Sequence, residues 1–164
     1  MNHWIIAPIV LPALMATLLV MPLRNQLGLQ RIFSVAGAGL NLAIALGLMA
    51  TAHSGVISVY DLGNWPAPFG IVLVLDNLAA LMVVLATALG LVVAVYAAGS
   101  GWDARGKHFH PLFQFQMMGI CGAFLTGDAF NLFVFFEVLL IASYGLMIHG
   151  GATRQLRAGV QYVA

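Results

Sequence analysis

The 164-residue sequence is 62% hydrophobic and only 7% charged, with a mean hydropathy of +1.01. An ordinary soluble domain carries roughly 25% charged residues, so a water-soluble fold is excluded. A formal net charge of +1 without any basic run excludes nucleic acid and polyanionic surfaces as partners, and the single cysteine, Cys121, excludes an intrachain disulfide or a multi-cysteine metal site.

Each membrane crossing takes about 20 apolar residues, so the length accommodates five or six. Met1 to Pro8 lacks the basic n-region of a secretory signal and no A-x-A-like cleavage site follows. The apolar stretch His3 to Met21 therefore reads as the first span, closed by Pro22-Leu23-Arg24-Asn25-Gln26. The second span is about Ile32 to Ala52, with Gly39, Ala43 and Gly47 at four-residue spacing making a smooth strip for a neighbouring helix. His53 to Gly70 is mixed in character, with Asp61, Asn64, Trp65, Pro66 and Pro68, and it contains the alternating Val56-Ile57-Ser58-Val59-Tyr60. It reads as an external loop with a short hairpin at the interface, where Trp and Tyr rings are favoured.

The third span is taken as Ile71 to Ala98, with Asp76 as the N-cap of a helix beginning there. Gly99 to His110 is a polar loop carrying Asp103, Arg105, Lys107, His108 and His110, and Pro111 opens the fourth span, Pro111 to Thr126. Gly119, Gly122 and Ala123 form a second packing strip. Gly127-Asp128 makes a tight turn into the fifth span, Asp128 to Ile148. After His149-Gly150-Gly151 and the basic Arg154 and Arg157, residues 156–164 read as an incomplete sixth span. The expected fold is thus all-α and integral to the membrane, with five spans and the start of a sixth in one transmembrane region over residues 1–164. Every Lys and Arg follows an odd-numbered span, so the rule that cytoplasmic loops collect cations places the N-terminus outside.

A charged side chain at the bilayer centre costs at least about 2.5 to 3.5 kcal/mol on insertion scales, so an intramembrane acid requires a reason. Glu137 lies nine residues past Asp128. At about 1.5 Å per residue it sits some 13 to 14 Å into a hydrocarbon core about 30 Å thick, near the midplane. Phe133, Val134, Leu140, Ile141 and Tyr144 are its helical neighbours, and only Tyr144 is polar. Such a group is expected to be buried and to exchange a proton; the bland alternative is a permanently neutral acid bonding between helices. Tyr144, His149 and Asp76 are candidates for a proton path, although Asp76 is equally an N-cap and His149, like His108 and His110, equally a solvated loop histidine. Two histidines without a third ligand make no zinc site, and no phosphate loop, nucleophile elbow or haem motif is present, so no cofactor or metal is expected.

The run Thr126-Gly-Asp-Ala-Phe-Asn-Leu-Phe-Val-Phe-Phe-Glu137-Val-Leu-Leu-Ile-Ala-Ser-Tyr144 resembles the fifth span of the antiporter-like subunits shared by Mrp-type sodium/proton antiporters and respiratory complex I. With Gly-Gly-x-x-x-Gln-Leu-Arg-Ala-Gly from Gly150 to Gly159, it looks most like the D-type member of the Mrp group, and Leu75-Asp76-Asn77-Leu78 extends the likeness more loosely. The resemblance implies a bundle of about fourteen helices with inverted repeats and broken helices. In it Glu137 pairs with a lysine on a later helix, and the present residues form the N-terminal third. Gln161 stands near where complex I members tend to carry a lysine, which favours the antiporter branch. The implied function is a non-enzymatic one: a subunit of a sodium (or other monovalent cation)/proton antiporter in a bacterial inner membrane, working with other membrane subunits and lipid. The alternatives are a proton-pumping subunit of a quinone-reducing redox complex and a non-conducting structural remnant.

Overall fold

The computed structural model describes residues 3–65, 69–151 and 153–163; Pro66 and Pro68 of the expected outer loop lie outside them. Six α-helices are found among the described residues: α1 (Ala7–Val20), α2 (Leu27–Ala52), α3 (Asn77–Ser100), α4 (Phe109–Leu125), α5 (Ala129–Met147) and α6 (Thr153–Val163). The segment His3–Val20, with α2, α3 and α5, is long and apolar enough to cross a membrane. The 17-residue α4 runs alongside them, while α6 is short and more polar.

Helices α1 to α4 form a ring in which α1 touches α2 and α4, and α3 touches α2 and α4, so that α2 and α4 meet across the middle. Helix α5 packs on the outside of α4. Glycines permit that contact: a Cβ on Gly119 would lie 2.9 Å from the Leu139 backbone nitrogen, and one on Gly122 would overlap the Phe135 ring. The strip expected on the fourth span is therefore used, and by the fifth. The strip expected on the second span is not. Nothing lies within 4 Å of a Cβ at Gly39 or Gly47, and Ala43 is exposed. Helix α2 instead buries Ser34, Gly37, Ala38, Asn41, Ala45, Leu48 and Ala52, a stripe on the opposite side of the helix.

Pro12 lies inside α1 and has no N–H to donate to the Pro8 carbonyl one turn earlier. In a membrane such a freed acceptor needs another donor, and the Asn41 amide of α2 reaches the Pro8 carbonyl at 3.5 Å.

One end of the bundle is capped by a two-stranded antiparallel sheet, β1 (Ser58–Asp61) and β2 (Val72–Leu75), with Ser58 opposite Leu75 and Asp61 opposite Val72. The expected hairpin thus exists, but its second strand takes Val72–Leu75 out of the stretch expected as the third span. That helix starts at Asn77, and Asp76 caps it, accepting from the Ala79 N–H at 2.7 Å. Asp128 caps α5 in the same manner through Asn131 N–H, 2.7 Å away. The turn between α4 and α5 is stitched to the sheet, Gly127 N–H donating to the Val72 carbonyl at 2.8 Å. The opposite end carries the α1–α2, α3–α4 and α5–α6 connections, where Arg24, Arg105 and Lys107 lie; below it is called the basic end.

Candidate functional site

Glu137 is the ninth of the nineteen residues of α5, so the expected mid-span position holds. Its expected burial does not, within this chain. Helix α5 buries Asn131, Phe135 and Ala142 against α4, whereas Glu137 lies on the other side with Phe130, Phe133, Val134, Phe136 and Ile141, all exposed. No hydrogen bond or ion pair to Glu137 exists among the described residues. The physical reason is that α5 is the outer helix of the group, packed chiefly on α4. The arrangement presents a carboxylate in the middle of an aromatic, apolar face that no described residue covers.

The suggested proton-path residues are not brought together around it. Asp76 is at the sheet end of α3, engaged by Ala79 and lining a shallow depression with Ala52, Val56 and Ile57. Tyr144, two turns from Glu137 toward the basic end, meets the ring of Tyr162 of α6 edge-on, with centroids 6.1 Å apart. His149 is not a solvated loop histidine: it is buried, its Nε2 3.3 Å from the Trp102 carbonyl and its ring 5.3 Å from that of Phe109. Gly106 leaves room for it, since a Cβ there would come within 2.8 Å of the imidazole.

At the basic end the structure assembles a cluster that sequence reasoning missed. Asp103, in a single 3-10 turn between α3 and α4, has a fully buried side chain. Arg31 of α2 clamps it in bidentate fashion, Nε to Oδ2 at 2.6 Å and Nη2 to Oδ1 at 2.8 Å, and His110 of α4 brings Nε2 to 3.0 Å from Oδ2. Burial pushes the Asp103 carboxyl up, but the bonds from Arg31 and His110 and the charge of Arg31 outweigh it and hold the group below the ordinary carboxylate value. His110, expected in a solvated loop, is wholly buried, because α4 begins at Phe109 and turns the imidazole inward beneath the 3-10 turn.

Above this cluster polar groups continue along the α2–α4 seam. Gln114, one turn beyond His110, donates to the carbonyl and hydroxyl of Ser34 at 3.1 and 3.2 Å, and Asn41 faces Cys121 with its amide nitrogen 3.9 Å from Sγ. Two buried side-chain atoms on this seam have no partner among the described residues, His110 Nδ1 and Asn41 Oδ1. The available signal was periodicity: Arg31, Ser34 and Asn41 share a face of α2, and His110, Gln114 and Cys121 share a face of α4.

Apolar helices joined into a ring, a carboxylate midway along one of them and a polar interior seam define a multi-pass membrane protein. No family model matches the chain. It is 45% identical over 169 residues to the D component of a probable K(+)/H(+) antiporter of Rhizobium meliloti, an alignment covering all of this chain and 31% of the relative. It is 43% identical over 164 residues to the D component of the Na(+)/H(+) antiporter of Bacillus subtilis, covering 99% of this chain and 33% of that one. Among solved structures, a chain of the Mrp complex from Dietzia sp. superposes with a TM-score of 0.89 at 31% identity, over 99% of this chain and 31% of that one. A chain of the membrane-bound sulfane sulfur reductase, an archaeal respiratory membrane complex, gives 0.84 at 27% identity over 97% and 33%. The chain belongs to the D-type family of Mrp antiporter subunits, and it spans about a third of the length of the relatives it matches.

Proposed function

We propose that these residues form the N-terminal helical part of a subunit that exchanges protons for sodium or another monovalent cation, with Glu137 as the proton-exchanging group. The observation that carries the reading is the mid-span carboxylate of α5, set among Phe133, Val134 and Ile141 on a face that nothing in this chain covers. An acid held at that depth is costly unless it is neutral or paired, and a group moved between those two states by its surroundings is a proton carrier. The pairing cation comes from residues outside this chain, as the resemblance to the longer antiporter subunits implies. The relatives are named for different cations, K(+) in one and Na(+) in the other, so the reading is made for monovalent cations as a class. The complete subunit works with further membrane subunits in a bacterial plasma membrane, the basic end facing the cytoplasm and the N-terminus outside.

A second reading is supported by the likeness to the archaeal respiratory complex: the same bundle driven by redox chemistry in partner proteins. The test is Glu137→Gln in the full-length subunit within its complex, with cation-dependent proton movement measured in everted vesicles lacking any electron donor. The antiport reading expects robust exchange in wild type and at least about a hundredfold less in the variant, the usual range for loss of an essential proton-transfer group. Undiminished exchange in the variant refutes the role of Glu137. Wild-type movement only on addition of an electron donor favours the redox reading.

A further inference from the structure

We infer that Arg31, Asp103 and His110 form a second proton-binding site, at the basic end of the bundle and separate from Glu137, in which the proton is taken up on Nδ1 of His110.

The geometry makes this more than a loop anchor. With His110 neutral, Nε2 bears the hydrogen and donates to Asp103 Oδ2, so Nδ1 is a lone-pair acceptor. Nδ1 is buried and has no partner among the described residues. Of the two unpartnered atoms on the seam, Asn41 Oδ1 is an amide oxygen, whereas His110 Nδ1 is a ring nitrogen that can accept a proton, on the same imidazole that bonds Asp103. The nitrogen 3.0 Å from the carboxylate is Nε2, so a proton taken up across the ring on Nδ1 is stabilised through that bond by the Asp103 charge, against the burial of the ring and the repulsion of Arg31.

The charged and titratable neighbours are known for each packed element. Arg31 faces His110 from α2, Asp103 from the 3-10 turn, and His149 from beyond α5, with the Phe109 ring 5.3 Å from both imidazoles. Helix α1 has no titratable residue, and the one in α3, Tyr96, is exposed. Before uptake the formal charges of Arg31 (+1), Asp103 (−1) and His110 (0) sum to zero. Uptake forms one bond, Nδ1–H, the proton coming from hydronium at the basic end and leaving water. The cluster then carries +1. Arg31 and His110 both bond Oδ2 of Asp103, at 2.6 and 3.0 Å, and of the three side chains only that of Arg31, near the basic end of α2, is exposed, to 35%. The imidazolium therefore keeps Asp103 while Arg31 loosens into water.

The test is a pH titration of the full-length protein in its complex by infrared difference spectroscopy between about pH 5 and pH 9, following the imidazole ring bands. A band lost in His110→Gln assigns the signal. Arg31→Gln removes a repelling cation and should raise the proton affinity of His110 about tenfold or more; Asp103→Asn removes the attracting anion and should lower it by as much or more. Absence of a titrating band assignable to His110, or an unmoved midpoint in Arg31→Gln, overturns the proposal. Because Asp103 is a buried hub whose substitution can prevent assembly, Arg31→Gln at the wet rim decides the matter alone. The titration does not depend on Glu137: the His110 signal should persist in Glu137→Gln, where antiport is lost, so the two readings fail separately.

Discussion

Gly119→Ala is expected to loosen α5 from α4 far more than Gly145→Ala, although both add one methyl group at the same helix pair. The new Cβ at Gly119 would stand 2.9 Å from the nitrogen and Cβ of Leu139 and 3.0 Å from its Cα, where ordinary contact is 3.4 to 4 Å. Two of those three atoms are α5 backbone, so no rotamer relieves the clash and the helix itself has to retreat, by about 0.7 Å to restore 3.6 Å. Overpacking that shifts backbone costs about 1 to 3 kcal/mol, and in lipid no hydrophobic force between helices offsets it, since close approach of small residues is what holds them together. At Gly145 the added Cβ meets Leu112 Cδ1 at 2.8 Å and Cδ2 at 3.0 Å, the far end of a flexible side chain that can turn away. Its cost should stay below about 1 kcal/mol. Denaturation of the full-length subunit by SDS titration in mixed micelles, read as a midpoint shift, ranks the two variants. Because α5 carries Glu137, Gly119→Ala should also reduce antiport while leaving the protein in the membrane. Equal midpoints for the two variants, or a larger loss at Gly145, would refute the contact geometry.

Two further outcomes follow from the carboxylates outside the spans. Asp128→Ala removes the side-chain cap of α5 and should cost about 1 kcal/mol, with Asp128→Asn largely restoring it; thermal denaturation of the detergent-solubilised protein reads both. Asp103 and Asp128 both have folded-state pKa values below those of the unfolded chain. At Asp128 burial again raises the value, and the bonds from Asn131, Val72 and Phe130 outweigh it. A depressed carboxyl stabilises the fold above the ordinary carboxylate pKa of about 3.9 and loses that contribution as pH falls through the lower, folded-state value. Denaturation midpoints should therefore drop steeply below about pH 4, and less steeply in Asp103→Asn.

Spans, caps and the glycine contact were legible because each depends on residues close in sequence. Asp76 and Asp128 announce their helices within three residues, and Gly119 and Gly122 mark a close approach that only small side chains permit. The strand Val72–Leu75 was not legible, since four apolar residues leading into an apolar helix carry no break in hydropathy; its pairing with Ser58–Asp61 across the loop decides it. Asp103 read as one more polar residue in a charged loop. Its partner Arg31 is 72 residues away, and placing the second helix at Ile32 rather than Leu27 left that arginine in a turn instead of on a packed face.

The exposure of Glu137 is itself informative about where its partner lies. Phe135 is buried and seats α5 on α4. Glu137 is two residues further along, about 200° around a helix of 3.6 residues per turn, and so projects nearly opposite to α4. The main packing partner of α5 is α4, and α6 meets it where the Tyr162 ring lies edge-on to Tyr144. The one lysine or arginine on α1 to α4, Arg31, is bonded to Asp103, and Gly119 and Gly122 hold α4 tightly against the other face of α5. A midplane carboxylate needs a neutralising proton or a cation, and both require a covering surface to regulate them. A surface that covers Glu137 has to pack on the exposed Phe133, Val134 and Ile141 face of α5, on the side of the helix away from α4.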